Sequence, residues 1–335
     1  MEFALSEEQA ELAATIRSLL EKRADSAAVR AASTSDDGYD PELWQTLCEQ
    51  IGVAALAVPE DLDGVGATLM ESMVVLEELG RSLAPSPLLA SIVTAEAVLA
   101  GADDEAKARL LPRLARGEIG AFAVLDADGA ASGVLDVDRA AVLVVAADED
   151  LYEVDPASAE RDWQPSMDQS VRLGSLRADV ASATRIGVAG PAVERASLVG
   201  AAGAAALAVG CAARGVDMTV GYSKERVQFG RPIGSFQALK HRMAEMLVLV
   251  EMARSASWAA SYALSSGSPQ AAQLVHVAKA YASDALARIA AETVQLHGGI
   301  AITWEHDAHL VFKRAHALGQ LFGDATSHRA LVELP

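Results

Sequence analysis

Long alanine-rich apolar stretches, interrupted once by a run of short alternating segments, constrain this chain more than any other feature. Alanine loses no side-chain entropy on ordering and is the strongest helix former, so these stretches predict helices. Of the 335 residues 51% are hydrophobic but only 4% aromatic, so a core must be built from small and aliphatic side chains. Ser6-Glu7-Glu8-Gln9 has the spacing of a capping box, and Leu12, Ile16, Leu19 and Leu20 follow at helical intervals. Further helices are predicted over about 42–51, 69–80, 87–100 and 104–115, with Pro59, Gly64 and Gly66 marking 58–66 as a loop. Between Glu118 and Ile186 the pattern changes. Short apolar runs at 121–125, 141–145, 151–154 and 170–173 are separated by glycine, aspartate and proline, which predicts a small sheet with a hairpin tip at Asp148-Glu149-Asp150. From Gly190 the helices resume, over 191–222, 234–266, 269–296, 304–318 and 325–332. Long helices joined by short loops predict a four-helix bundle. The expected fold is mainly α with a small β middle domain, divided as 1–117, 118–187 and 188–335.

Charge and cysteine usage narrow the function class. The net charge is −19, a surface that repels nucleic-acid phosphates and anionic membranes. The most apolar stretch, 196–213, is filled with glycine and alanine and flanked by Arg195 and Arg214, which predicts a core helix and not a membrane span. The acidic start, Met1 to Glu8, lacks the basic region of a secretory signal, and Cys48 and Cys211 stand singly. The expectation is a cytoplasmic protein with neither disulfides nor a metal site.

Two segments carry the chemistry. In the first, Tyr222 to Gln237, a helix is predicted to end near Val227, Gly230 and Pro232 to turn the chain, and a new helix to start by Ser235. Arg226 and Arg231 would then flank a helix N-terminus, where backbone amides and the dipole favour an anion such as a pyrophosphate, and Gln237 adds an amide. A plain interhelical turn with solvated arginines satisfies the same spacing. In the second, Gln295-Leu296-His297-Gly298-Gly299 ends a helix on two glycines, which permit a left-handed cap and close backbone approach to a ligand. His306, His309, His316 and His328 read as packing or capping residues, and Met243 and Met246 as core.

Together these segments make the chain resemble the acyl-CoA dehydrogenase family over nearly its whole length. Ser6 to Gln9, Gly52 through Gly66, Glu77-Glu78-Leu79-Gly80-Arg81, Leu110-Leu111-Pro112 and Gly117-Glu118 are similar to its N-terminal helical domain. Arg226 to Ile233, Gln237 and Gln295-x-x-Gly298-Gly299 are similar to its C-terminal motifs. The resemblance implies an N-terminal helical domain, a middle β-domain and a C-terminal four-helix bundle, acting as an FAD-dependent oxidoreductase on acyl-CoA thioesters. It also implies FAD shared across a subunit interface, with Arg226, Gln228, Phe229, Ile233, Gln237, Gln295, Gly298 and Gly299 reaching a neighbour's cofactor. Ala301 stands where the family commonly has a third glycine.

The middle zone departs further from the pattern. Where the family carries a Thr-Glu-Pro-Gly-x-Gly-Ser-Asp-like loop after the first strand, this chain reads Leu125-Asp126-Ala127-Asp128-Gly129-Ala130-Ala131-Ser132-Gly133. No tryptophan–serine/threonine pair follows, and Trp163 lies in another context. The family's base is a glutamate just before a Gly-Thr-Ser. Anchoring on Thr326-Ser327 puts Asp324 there, an ungapped count from Gly298-Gly299 puts Phe322 there, and an ordinary N-cap is a further reading of Asp324. The family's alternative base position falls near Gly200, with Glu194 the nearest acid.

A chain keeping one half of a shared FAD site resembles one subunit of the α2β2 heterotetrameric acyl-CoA dehydrogenases of actinobacteria, including those acting on steroid side chains. That implies a second, dehydrogenase-like partner supplying base and flavin pocket, with electron-transfer flavoprotein as acceptor. The alternatives are a self-sufficient dehydrogenase using Asp324, an oxidase relative, and a flavin-free helical scaffold.

Overall fold

The computed structural model describes residues 4–333; Met1, Glu2 and Phe3, on which the reading of the acidic start partly rests, lie outside them. Six helices come first: α1 (Glu7–Arg23), α2 (Ser26–Thr34), α3 (Pro41–Thr46), α4 (Leu69–Ser82), α5 (Leu88–Gly101) and α6 (Asp104–Ala115). Seven strands follow: β1 (Gly120–Val124), β2 (Ala130–Leu135), β3 (Val142–Ala147), β4 (Asp150–Val154), β5 (Glu160–Gln164), β6 (Leu173–Arg177) and β7 (Thr184–Val188). Then come α7 (Ala189–Glu225), the short pair β8 (Val227–Gln228) and β9 (Arg231–Pro232), α8 (Gln237–Ser265), α9 (Ala271–His297), α10 (Ala308–Gln320) and α11 (Ala325–Ala330).

The chain divides into two compact units. One comprises residues 1–27, 73–84 and 201–335, and the other 28–72 and 85–200.

The first unit is the helical bundle. The predicted capping box forms, with Ser6 Oγ accepting from the Gln9 amide and Gln9 Oε1 from the Ser6 amide. Two glycines then set how closely α4 and α7 approach. A Cβ at Gly80 would lie 2.2 Å from the Leu207 carbonyl oxygen, and one at Gly210 would lie 1.8 Å from that of Glu77. Backbone therefore meets backbone at this crossing. The rest of α7 within this unit packs on α9 and α10: Thr219 Oγ1 reaches Thr293 Oγ1 at 3.2 Å, and Gly215 faces Ile289 and Val311. Antiparallel α8 and α9 are joined through residues 266–270, and α8 is tied to α4 where Arg254 and Trp258 both reach the Glu77 carboxylate. Helix α7 is long and apolar enough to cross a membrane by length and composition, but 89% of its apolar window is buried, as a core helix requires. Of the two methionines expected in the core, Met246 is buried on α8 together with Val250, while Met243 is only partly buried and Leu247 is 52% exposed.

The second unit holds the sheets. One has the order β1-β3-β4-β7 and the other β2-β6-β5. β1 and β3 are parallel, and all other pairs in these two sheets are antiparallel. The predicted hairpin tip is present: Asp148 is left-handed (φ 52°) between β3 and β4. Between the sheets lies a core of Leu125, Val134, Val137, Leu143, Val145, Val154 and Leu176. The strand expected over 170–173 is displaced. Ser170 donates its amide and hydroxyl to the Asp168 carboxylate, forming a turn, so β6 begins only at Leu173. A helix missing from the sequence reading, α2, is rich in alanine, serine and threonine and carries only Val29 and Ala32 as buried residues.

Candidate cofactor-contact site and the C-terminal turn

Helix α7 ends where the Arg226 amide donates to the Tyr222 carbonyl at 2.9 Å. The chain then makes a hairpin instead of a bare turn, with Val227 opposite Pro232 and Gln228 opposite Arg231. Its two tip residues, Phe229 (φ 53°) and Gly230 (φ 76°), are both left-handed, the backbone that a two-residue type I′ connection demands. For a phenylalanine that conformation costs about 1–2 kcal/mol, and the residue is 92% exposed, its ring edge-on to Phe236 at 6.1 Å between centroids. The hairpin pairing sets this backbone, and the exposed ring offsets little of its cost. Arg231 lies 4.0 Å over the Phe236 ring. Among the described residues neither Arg226 nor Arg231 makes an ion pair, so both cations stand open at this end.

Of the other positions expected here, Ile233 is buried and anchors the hairpin by donating its amide to the Arg226 carbonyl at 2.8 Å. Gln228 Nε2 donates to the Val227 carbonyl, and Gln237 Nε2 lies 3.4 Å from His241 Nε2. Helix α8 starts at Phe236–Gln237 with no side-chain cap, leaving its first amides without a side-chain acceptor.

The second segment meets the first. Helix α9 ends at His297, whose ring lies 4.6 Å from that of Tyr222. Gly298 follows with φ 65° and ψ −144°, a region essentially confined to glycine. Nothing lies within 4 Å of where a Cβ on Gly298 or Gly299 would stand. Gly299 is thus free of side-chain crowding from its own chain, and open space lies over the backbone of both glycines. Gln295 is exposed beside them. Ala301 is completely buried, so its methyl packs inward and does not stand on the open glycine face.

Asp324 sits elsewhere in the bundle, as the N-cap of α11: its Oδ1 accepts from the Ser327 amide at 2.7 Å. Hydrogen bonds from Ser327, first its backbone and then its side chain, hold this carboxyl below the usual carboxylate range, and the residue is partly exposed. A carboxylate that is solvated and already bonded makes a poor base for a weakly acidic C–H. Phe322 is left-handed (φ 56°) and Gly323 strongly so (φ 100°).

The sequence reading missed what holds this turn. Lys279, completely buried on α9, donates from Nζ to Ser283 Oγ (3.0 Å), the Leu318 carbonyl (3.1 Å) and the Gly323 carbonyl (2.8 Å). Burial pushes its amine down to about 8. His328 places Nε2 2.8 Å from the Phe322 carbonyl and Nδ1 3.0 Å from His276 Nδ1. Lys279 shares the alanine-rich run 278–290 with Ser283, Asp284 and Arg288, so nothing in the sequence singled it out as the buried cation.

In the sheet unit, the loop after β1 folds on itself. Asp126 Oδ1 accepts from the amides of Asp128 and Ala130, and Gly129 is left-handed (φ 71°). At the other end of the β2–β6 pair, polar groups are committed within the unit. Arg172 grips Asp138 through Nε and Nη2, at 2.9 and 2.7 Å, and lies 5.0 Å over Trp163. Asp136 is buried beside them, and burial, followed by the Asp138 charge, pushes its carboxyl up to about 8.

Comparison with known proteins agrees with this architecture. Residues 6–118 match the acyl-CoA dehydrogenase N-terminal domain and residues 192–333 the acyl-CoA dehydrogenase C-terminal domain. Acyl-CoA dehydrogenase IpdE2 of Mycolicibacterium smegmatis is 43% identical over 319 residues, covering 95% of this chain and 96% of that protein. IpdE2 of Mycobacterium tuberculosis is 45% identical over 319 residues, covering 94% and 93%. Among solved structures, the Tcur3481–Tcur3483 steroid ACAD aligns with a TM-score of 0.87 at 28% identity over 97% of this chain and 96% of that one. The ChsE4–ChsE5 complex from Mycobacterium tuberculosis aligns at 0.88 and 25% identity over the full length of both chains. Members of the matched family are FAD-binding oxidoreductases. This chain belongs to the acyl-CoA dehydrogenase family.

Proposed function

We propose that this chain is the FAD-complementing subunit of a heteromeric acyl-CoA dehydrogenase, and that the base removing the substrate's α-proton belongs to a second, dehydrogenase-like partner. The observation that carries this reading is Asp324: the one acid on the turn where the resemblance seeks a base is spent on capping α11 through the Ser327 amide, which lowers its proton affinity. Phe322, the other position reached by counting, has no ionisable group.

The residues present fit one end of FAD and not the other. Unpaired Arg226 and Arg231 suit the charge of its pyrophosphate, the exposed Phe229 ring offers an apolar surface, and the open backbone at Gly298-Gly299 admits close approach. Gln228, Gln237 and Gln295 supply amides at the same end, and Ile233 fixes the hairpin from below. The flavin ring finds no such set in the sheet unit. The loop after β1 is closed by its own Asp126, which accepts from the amides of Asp128 and Ala130. When bound, FAD supplies the acceptor for the substrate's β-hydride. This chain's part is to bind and orient the nucleotide, across a subunit interface.

Two similar structures are described as paired proteins, and one of them as a steroid ACAD, which supports a CoA thioester carrying a steroid-derived acyl group as substrate. Electron-transfer flavoprotein is the acceptor this assignment calls for. The test is to purify the chain alone and co-expressed with a dehydrogenase-like partner. The expected result is stoichiometric flavin absorbance and acyl-CoA oxidation only in the hetero-oligomer. A yellow, active homo-oligomer of this chain alone would refute the proposal.

A further inference from the structure

The two segments assigned to the nucleotide end of FAD follow different helices, α7 and α9, and would act together only if their relative position is fixed. Three rings, tilted or edge-on to one another, cluster where they meet. The His297 ring lies 4.6 Å from Tyr222 at 31° and 4.5 Å from His306 at 54°, while Tyr222 and His306 are 6.3 Å apart, edge to face. Each ring sits where its element changes course. Tyr222 provides the carbonyl that receives the Arg226 amide at the start of the hairpin. His297 immediately precedes the left-handed Gly298. His306 Nδ1 accepts from the Ala308 amide, where α10 begins.

His297 is held as well as packed. Its Nδ1 lies 2.7 Å from the Thr293 carbonyl, which only accepts, so Nδ1 carries the proton. Thr293 is itself keyed to α7, its hydroxyl 3.3 Å from the Gly215 carbonyl and 3.2 Å from Thr219 Oγ1. The other ring nitrogen, Nε2, is buried and meets no partner at good hydrogen-bond geometry, with the Met218 backbone of α7 the further polar group acting on the ring; the residue is only 4% exposed. Filling this space alone would favour an apolar ring, which would bury no unsatisfied nitrogen. Histidine adds an N–H that ties the ring cluster to α9 one turn before Gly298.

We propose that His297 is a positioning residue: its imidazole, packed against both Tyr222 and His306 and anchored to Thr293, sets the Gly298-Gly299 backbone against the Arg226–Arg231 hairpin, so that both engage one nucleotide. The inference rests on the assignment of these two segments to FAD. It adds that the ring contact, more than the Nδ1 bond, couples them, because that contact alone reaches Tyr222.

The test uses the assembled, flavin-stripped hetero-oligomer and titrates FAD and, separately, ADP, which carries the nucleotide end alone. His297→Ala is expected to weaken both by about tenfold or more, the range of an ordinary coupling between sites. The elution position of the assembly should stay unchanged. His297→Phe, which keeps the ring, is expected to restore most of the affinity; His297→Asn, which keeps a donor to Thr293 but loses the ring, is not. Arg226→Ala serves as the reference. If it weakens FAD while His297→Ala binds as tightly as the unsubstituted protein, the positioning role is refuted and the site assignment survives. If Arg226→Ala has no effect, the site assignment fails, and the positioning role fails with it. If His297→Ala and His297→Phe lose affinity equally, with a lowered melting temperature, His297 is merely structural and the inference is overturned.

Discussion

Lys279 offers the most quantitative handle on the bundle. Its amine is buried and donates to Ser283 Oγ and to the carbonyls of Leu318 and Gly323, and burial lowers it from an ordinary value of 10.5 to about 8. The nearby Asp324 charge only partly opposes that shift. The sign follows from proton counting. Between pH 8 and 10.5 the unfolded chain keeps this proton while the folded one has released it, so the site makes unfolding harder as pH rises. At about 1.4 kcal/mol per tenfold change in proton affinity, the gain across the window reaches about 3 kcal/mol. Lys279→Met abolishes that titration and leaves the two carbonyls without their donor. Other groups titrate in the same range. Cys48, raised by burial to about 12, acts in the opposite sense above its ordinary 9.0. The quantity to follow is therefore the difference between the two proteins, measured by urea unfolding with tryptophan fluorescence at a series of pH values. The difference should be level below pH 7 and climb by about 3 kcal/mol in favour of the unsubstituted protein by pH 10.5. A level difference throughout would refute the argument, since it would mean that the buried ammonium is as well solvated as in the unfolded chain.

The α4–α7 crossing makes Gly210→Ala costly. With the added carbon 1.8 Å from the Glu77 carbonyl oxygen the helices must separate, and urea unfolding should register a loss of about 2 kcal/mol or more. Gly221→Ala on the same helix meets nothing within 4 Å, and helix propensity alone should make it gain up to about 1 kcal/mol. Asp136, raised to about 8 by burial and then by Asp138, holds its proton in the folded state at pH values where the unfolded chain has lost it. Stability should accordingly fall as pH rises from its ordinary 3.8 toward 8, and Asp136→Asn should flatten that decline in urea unfolding compared at pH 5 and pH 8.

Much of the helical architecture was legible because helix signals are local. Ser6 and Gln9 announce the start of α1, and Gly298-Gly299 the end of α9, from their own chemistry. The small sheets were less legible. β5, Glu160–Gln164, is mostly exposed and so carries no apolar alternation, while β6 begins late because a side chain, Asp168, captures Ser170. The candidate cofactor residues could be named from motif order. That Phe229 is strained and exposed could not, because its φ is set by the pairing of Val227 with Pro232. The Lys279, His276 and His328 network was hidden for a related reason: residues 276 and 328 meet only through tertiary packing, which no periodicity reports.

The central claim, that this chain lends nucleotide contacts while its partner supplies the base, is tested most directly by the turnover of the assembled enzyme carrying Asp324→Ala. Losing the cap on α11 should fray that helix slightly. Acyl-CoA oxidation at saturating FAD should remain within about twofold of the unsubstituted assembly, since a cap lost from a terminal helix removes no interaction made in the transition state. A fall of about a hundredfold or more, the magnitude general-base removal produces, would place the base on this chain and contradict the account.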